Sequence, residues 1–512
     1  MESSFATIDW IVFGSYFAVL VISSVWFSQT KIENSRDYFV GGNSVPMWAV
    51  AISVLATTQS AATFLGGPEY AYNHDLTFLG FYLSAFLGVL FVAKVLIPRF
   101  YAINAVTVYE LLEVRYGVSA KKNAGIMFLI GRLFASGARL YIGALAISMI
   151  LFMDITAPHV AVAITVLVLG ALAYTYFGGV KSVIYSDIIQ AVTYITAALL
   201  LLFYLYTSLD VDFNTIYTTL SDEQKLKLFN FTWDFSSANN FNVWGLLSGW
   251  FLLNIAAYGL DQDMTQRVLS CSNKKEGERA IVISVLMTIP VVLIFLFIGL
   301  LLYLFYQHPE FSTITGNIEQ QFAGEKITIL MYYILHEMPE GLRGLVTVGA
   351  IAAALSSTNS VLGAMSSVAI EDLYKPWKQK QGAVNEYHFV KAARIGVLVF
   401  ALLLAMMAML SYFWQRYSEV SLLSFALGVM AFAYSGLLGV YFSAIFTERG
   451  SERSVLFALI GGFSTVLFLQ PYILGLFIDY NLGFAWQIVI GTLVAFAITQ
   501  LGVSHKKREH NA

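Results

Sequence analysis

The sequence predicts an all-α polytopic membrane protein of about thirteen transmembrane helices, two of them broken partway across the bilayer. Three observations predict it. Hydrophobic residues make up 58% of the 512 positions and charged residues only 12%, against about 25% charged in an average soluble chain, and mean hydropathy is +0.71. Apolar runs of membrane-crossing length recur from one end to the other, leaving no stretch that reads as a soluble domain. Two of those runs, five runs apart, are interrupted by polar and small residues.

A transmembrane helix needs roughly 20 largely apolar residues. The runs that meet this lie at 8–28, 45–72, 77–99, 124–151, 159–177, 187–207, 241–262, 280–306, 341–368, 393–413, 420–446, 454–474 and 486–502, here spans 1 to 13. Span 1 follows "MESSFATIDW", which has neither a basic n-region nor a small-residue cleavage site, so it is expected to be retained rather than removed as a signal peptide. Basic residues gather on alternate loops: Lys31 and Arg36; Arg99, Arg115, Lys121 and Lys122; Arg267, Lys274, Lys275 and Arg279; Lys375, Lys378, Lys380, Lys391 and Arg394; Arg449 and Arg453; Lys506, Lys507 and Arg508. The positive-inside bias makes that side cytoplasmic, and an odd number of spans then puts the N-terminus outside and the C-terminus inside the cell.

Several classes are excluded by what the sequence lacks. Cys271 is the only cysteine, so no intrachain disulfide or cysteine-based metal cage can form. There is no G-x-x-x-x-G-K phosphate cradle, which argues against an ATP-driven pump, and "HEMPE" at 336–340 lacks the second histidine of a zinc-hydrolase helix. No catalytic residues and no nucleic-acid partner are expected. The formal net charge of -3 carries no information about partners, because the basic residues are concentrated in a few loops.

The chemistry is concentrated in five stretches. "SVLATTQSAATFLGG" in span 2 breaks an apolar run with Thr57, Thr58, Gln59, Ser60 and Thr63. A helix interrupted at mid-membrane leaves carbonyls without i+4 partners, and these suit a small hard cation; equally, small residues allow close helix packing. Span 9 reads "AIAAALSSTNSVLGAMSS", where Ala353, Ser356, Ser357 and Ser360 share one face and Asn359 adds an amide. Neutral oxygen ligands on one face fit a releasable monovalent ion, and a packing stripe is the alternative. "GGVKSVIYSDIIQAV" puts Asp187 just inside span 6, as an ion ligand or as a helix cap. Span 7 ends "LLNIAAYGLDQDMTQR", with Asn254 and Tyr258 one turn apart and Gly259 expected to break the run. "GRLFASGARLYIG" in span 4 carries Arg132 and Arg139 on one face, either paired with acids or carbonyls or forming a fork for a solute carboxylate. Paired broken helices in corresponding places point to a secondary transporter built from inverted repeats, spans 2–6 against spans 7–11.

The motifs "DYFVGG", "ATTQSAATF", "VYELLEVRYG", "TYFGGVKSVIYSDIIQ", "GLDQDMTQRVLS" and "LSSTNSVLGAMSSVAIEDLY" together resemble the sodium/solute symporter family over nearly the whole chain, in family order. The resemblance implies a five-plus-five inverted repeat of the LeuT type, with one extra N-terminal and two extra C-terminal spans. The corresponding division is 1–40 for the extra span, 41–207 and 208–447 for the two repeats, and 448–512 for the last spans and tail. It further implies sodium-coupled import of a small polar solute by alternating access across the plasma (inner) membrane, with Na+ as the coupling ion and the chain working as a monomer in the lipid bilayer. A proton-coupled or uncoupled carrier of the same fold, or a solute-sensing membrane protein, is the alternative.

Carried over residue by residue, the family's main sodium site falls on the carbonyls of Ala56, Gln59 and Ala353 and the hydroxyls of Ser356 and Ser357. A second sodium site found in some members falls on Asp187, Ser357, Asn359 and Ser360, where Asn359 departs from the usual Ser or Thr. "ATTQSAATF" is most similar to the sialic acid branch, whose solute pocket matches Thr58, Ser60, Thr63, Phe78 and Tyr82. Tyr82 departs from the amide common there, so the resemblance implies an acidic sugar or another carboxylate without fixing which. That branch's arginine falls on Ala135, with Arg132 one turn before and Arg139 one turn after. Asn254 matches a substrate-binding Asn of the sugar branch, and Tyr258 lies beside it. Tyr82 and Ala85 stand where that branch has its sugar-binding Glu and Ser, which disfavours a plain galactose carrier.

Overall fold

The computed structural model describes residues 5–27, 32–312, 321–322, 325–382, 384–415 and 422–503. Helices account for nearly all of these residues; the β-structure among them is a ladder of Gln321–Phe322 on Glu325–Lys326 and two isolated bridges. The main helices are α1 (Thr7–Phe27), α2 (Met47–Thr58), α3 (Ala61–Asn73), α4 (Leu79–Ala102), α5 (Val118–Phe152), α6 (Ala157–Ser208) and α7 (Val243–Leu260). They continue as α8 (Gln262–Val268), α9 (Lys274–Gln307), α10 (Leu342–Ser367), α11 (Glu386–Gln415), α12 (Leu422–Phe446), α13 (Glu452–Phe468) and α14 (Phe484–Gln500).

Among the described residues, eight helices are long and apolar enough to cross a bilayer, or nine if Ser35–Asn43 and Met47–Thr58, bent by 113°, form one span. The expected thirteen is not reached by that measure, for physical reasons. α2 and α3 together fill span 2, but at 12 and 13 residues each half is too short to cross alone. α13 and α14 have 17 residues each, just under that length, while α12 has 25. α6 carries two expected spans in 52 residues, a length that would reach roughly 78 Å as one straight helix, against about 30 Å of hydrocarbon.

Gly179 divides α6. Its φ of 60° and ψ of -158° leave the helical region, and a Cβ there would stand 2.4 Å from the carbonyl oxygen of Tyr38. Both the dihedral and the close approach demand glycine. The second limb of α6, which carries Asp187, is thereby aimed against α2 and α10.

α10 is the buried axis of the fold, packing most extensively on α6 and also on α5 and α11. Nearly all its residues from Gly344 to Ser367 are buried, so its hydroxyl face looks into protein rather than lipid. α1 lies at the periphery with Ile11, Ile22 and Trp26 exposed, yet its Asp9 is fully buried. Asp9 Oδ1 accepts from the Gly341 and Gly344 amides, both at 2.7 Å, at the N-terminus of α10. A carboxylate there satisfies amides that the helix itself leaves open and lies at the favourable end of its dipole.

Replacing Gly179 by Ala should force α6 to shift against Tyr38 and cost about 1–3 kcal/mol in strain. Thermal unfolding of the purified protein in detergent checks this; an unchanged melting temperature would contradict the reading of Gly179 as a required break.

Candidate functional site

Both predicted breaks are present. The i→i+4 ladder of α2 ends with the Gln59 amide on Leu55 O at 3.2 Å, and Gln59 (φ -86°, ψ 122°) and Ser60 (φ -123°, ψ 171°) are extended before α3 resumes with Thr63 and Phe64 on Ser60 O, each at 2.9 Å. The terminal carbonyls of α2, including Ala56, are those a helix cannot satisfy by itself. The second break falls at Asp261 (φ -83°, ψ 120°), two residues beyond the expected Gly259. Gly259 serves close packing instead. A Cβ on it would meet Leu96 at 2.5 Å and Val92 at 2.9 Å, so its absence lets α7 lie tightly against α4.

The end of α2 sits beside the hydroxyl face of α10. Thr57 Oγ1 and Ser360 Oγ are 3.1 Å apart, which joins the two elements that carry Ala56, Gln59, Ala353, Ser356 and Ser357. All five of those residues are buried. Ser356 Oγ donates to Asp187 Oδ1 at 2.9 Å, Ser357 Oγ to Ala354 O at 3.0 Å, and Ser360 Oγ to Ser356 O at 2.6 Å. The side-chain amides of Gln59 and Asn359 are buried and make no hydrogen bond among the described residues. Such a concentration of carbonyl and hydroxyl oxygens is suited to a hard monovalent cation.

Asp187 is not a cap. It lies within the second limb of α6, fully buried, and its Oδ2 accepts from Ser53 Oγ at 2.5 Å and from Arg267 Nε and Nη2 at 3.3 and 3.2 Å. Arg267, expected in a cytoplasmic loop, is instead 1% exposed. Its Nη1 donates to the Asp263 carbonyl at 2.7 Å and to Asp263 Oδ1 at 2.9 Å. Asp263 Oδ2 accepts from Arg132 Nη2, Arg132 Nη1 donates to Asp261 Oδ2 at 2.8 Å, and the Tyr434 hydroxyl donates to that same oxygen. The result is a buried alternation of Asp187, Arg267, Asp263, Arg132 and Asp261, running through α6, α8, α5 and the break between α7 and α8. Of the two alternatives open for Arg132, the structure has the pairing with acids.

Arg139 takes a separate place, lining a small cavity with Ser136, Ser357, Thr358, Val361 and Leu404. A predicted solute ligand and a predicted sodium ligand therefore face one space. Tyr82 lies against the side chains of Gln59 and Thr63, and Tyr258 against Thr58, whose own hydroxyl donates to Leu55 O at 2.7 Å. Phe78 meets Tyr82 edge-on at 5.6 Å and Phe241 at 5.1 Å, and Phe241 stacks on Trp250 at 5.4 Å. This aromatic cluster covers the Tyr82 side of the break. Ser60 starts α3 without a side-chain cap bond. Asn254 is not drawn into the group: its amide donates to Trp250 O at 2.9 Å and to Phe81 O at 3.4 Å, at the contact between α7 and α4.

The sequence reading missed Asp261, Asp263, Arg267, Ser53, Thr57 and Tyr434 as members of the site. The available signal was "DQDMTQR", two acids and a base within seven residues directly after a broken apolar run; charges there need partners inside the protein.

A helical membrane protein whose two interrupted helices converge on a buried, oxygen-rich site is a secondary transporter by architecture. The model of the Sodium:solute symporter family matches residues 38–462, and the chain belongs to that family. It is 28% identical to the Sodium/sialic acid symporter NanT of Aliivibrio fischeri over 99% of this chain and 95% of that protein. To the Sodium/sialic acid symporter SiaT of Proteus mirabilis it is also 28% identical, over 90% and 89% of the two chains. Among solved structures, it superimposes on the substrate-bound outward-open state of a Na+-coupled sialic acid symporter with a TM-score of 0.81 and 26% identity, over 97% of each chain.

Removing the Arg132 guanidinium leaves two buried carboxylates short of a partner, an event that typically costs about 3–5 kcal/mol. Arg132→Ala should therefore lower the melting temperature sharply, and adding Asp261→Asn should recover part of the loss. A full additive loss in the double variant would show that the two residues are not coupled.

Proposed function

We propose that this chain imports an acidic sugar of the sialic acid type together with sodium. The observation that carries this reading is the cavity shared by Arg139 and Ser357, which sets a cation for a solute carboxylate next to a hydroxyl of the expected sodium site. Arg139 is the arginine assigned to solute because it lines the cavity with Ser357; Arg132 bridges Asp261 and Asp263. Thr58, Ser60, Thr63, Phe78, Tyr82 and Tyr258 form the rest of the solute site around the break in span 2. Sodium binds at Ala56, Gln59, Ala353, Ser356 and Ser357, where it joins α2 and α3 to α10.

The similarity to two sodium/sialic acid symporters supports this solute class. We also propose thirteen crossings, with repeats at 41–207 and 208–447, the N-terminus outside and the C-terminus cytoplasmic, and a monomer as the working unit. Sodium drives uptake because it binds the outward-facing arrangement better than the inward-facing one; a ligand shifts a conformational equilibrium only by such a difference. Arg139 and Ser357, one residue from each expected ligand set, line one small cavity, so binding of either ligand is expected to favour the arrangement the other needs.

Uptake of labelled sialic acid into proteoliposomes holding only this protein tests the assignment. Ser357→Ala is expected to raise the sodium concentration for half-maximal uptake by about tenfold or more, the loss of one good ligand. Arg139→Ala should abolish preference for the carboxylated sugar over its neutral analogue. Unchanged sodium dependence in the first variant, or unchanged selectivity in the second, would contradict the corresponding assignment.

A further inference from the structure

Four residues, Asp187, Ser357, Asn359 and Ser360, are where the family resemblance puts a second sodium ion, and Arg267 reaches two of them. It donates to Asp187 Oδ2 from both Nε and Nη2, and Nη2 also donates to Ser360 Oγ. Asp187 also accepts from Ser53 at Oδ2 and from Ser356 at Oδ1. A guanidinium keeps its charge under all ordinary conditions, so the carboxylate that would hold a second cation already has one in direct contact.

The other two ligands do not compensate. Asn359 replaces a hydroxyl with an amide, and it shares a cavity with Thr175, Gly179, Gln266 and Arg267 in which no lining residue is acidic. Ser357 faces the Arg139 cavity and is common to both expected sites. Meanwhile the donors of Arg267 go to Ser53, Asp187, Asp263 and Ser360, none of which belongs to the expected main sodium site. The fixed cation thus occupies one site and leaves the other to a mobile ion.

We propose that Arg267 is a tethered cation standing in for a second sodium ion on Asp187 and Ser360, so that one sodium ion binds per chain, at the end of α2. The proposal rests on the sodium-coupled reading above and fixes its stoichiometry. Arg267 is a positioning residue here: it acts on ion number by occupying Asp187, not by touching solute.

Saturation binding of radioactive sodium to the purified full-length protein tests this without requiring the solute. One ion per chain is expected in the unsubstituted protein and in Arg267→Lys, which keeps the charge. Arg267→Gln frees Asp187 and is expected to bind two. Two ions on the unsubstituted protein would overturn the proposal and leave sodium coupling intact; no bound sodium would overturn the sodium-coupled reading and the proposal with it. An Arg267→Gln protein with a cooperative melting transition that still binds one ion would also overturn it. Should that variant fail to fold, the count on the unsubstituted protein decides.

Discussion

Arg267 holds together segments that would otherwise have no reason to meet. Its guanidinium contacts Ser53 on α2, Asp187 on α6, Asp263 on α8 and Ser360 on α10, and through Asp263 and Arg132 the chain of charges extends to α5, Asp261 and Tyr434. Transferring any one of these ions from water into protein is costly, and only a partner with several well-placed hydrogen bonds offsets it. Each member here has such partners. The consequence is mutual dependence: α8 cannot leave the core without stranding a carboxylate, and α6 cannot turn without releasing Asp187.

Around that chain the broken helices play a different part. The end of α2 and the break at Asp261 present backbone groups that a continuous helix would have consumed. Lipid could not satisfy them at this depth, so they are tolerable only where protein or a bound ion supplies partners. The short extended segments at Gln59–Ser60 and at Asp261 therefore sit where α10, α6 and α5 surround them. Small residues allow this crowding, as Gly259 does against Val92 and Leu96. An ion-paired end of span 7 and an oxygen-rich, uncharged end of span 2 give two sides of one site with contrasting character.

Much of this was legible in the sequence. Apolar run length marked nearly every helix, and the two interruptions marked both breaks, because a polar cluster in a membrane span has few structural uses. The hydroxyl face of span 9 followed from helical spacing alone. What escaped was pairing. Arg267 looks like a loop residue when counted with its neighbours Lys274 and Lys275, since sequence order cannot tell a cytoplasmic base from a buried one whose partner, Asp187, is 80 residues away. For the same reason sequence alone does not separate a cap from a ligand at Asp187. Glycine weakens helices, so Gly259 looks like a break in the sequence, whereas in the structure it serves close packing and Asp261 makes the turn. The count of crossings is hidden by Gly179, whose effect on α6 depends on the approach of Tyr38 from a distant segment.

We propose that sodium and an acidic solute bind next to one another and stabilise a single arrangement of the protein. Linkage makes this measurable at equilibrium, since binding to the folded state raises its melting temperature and coupling between two ligands is reciprocal. The decisive measurement is the melting temperature of the purified protein with and without sialic acid, in sodium chloride and in potassium or choline chloride. Stabilisation by sialic acid in sodium that vanishes in the other two salts is expected. Equal stabilisation in all three, or sodium binding unaffected by the solute, would contradict it.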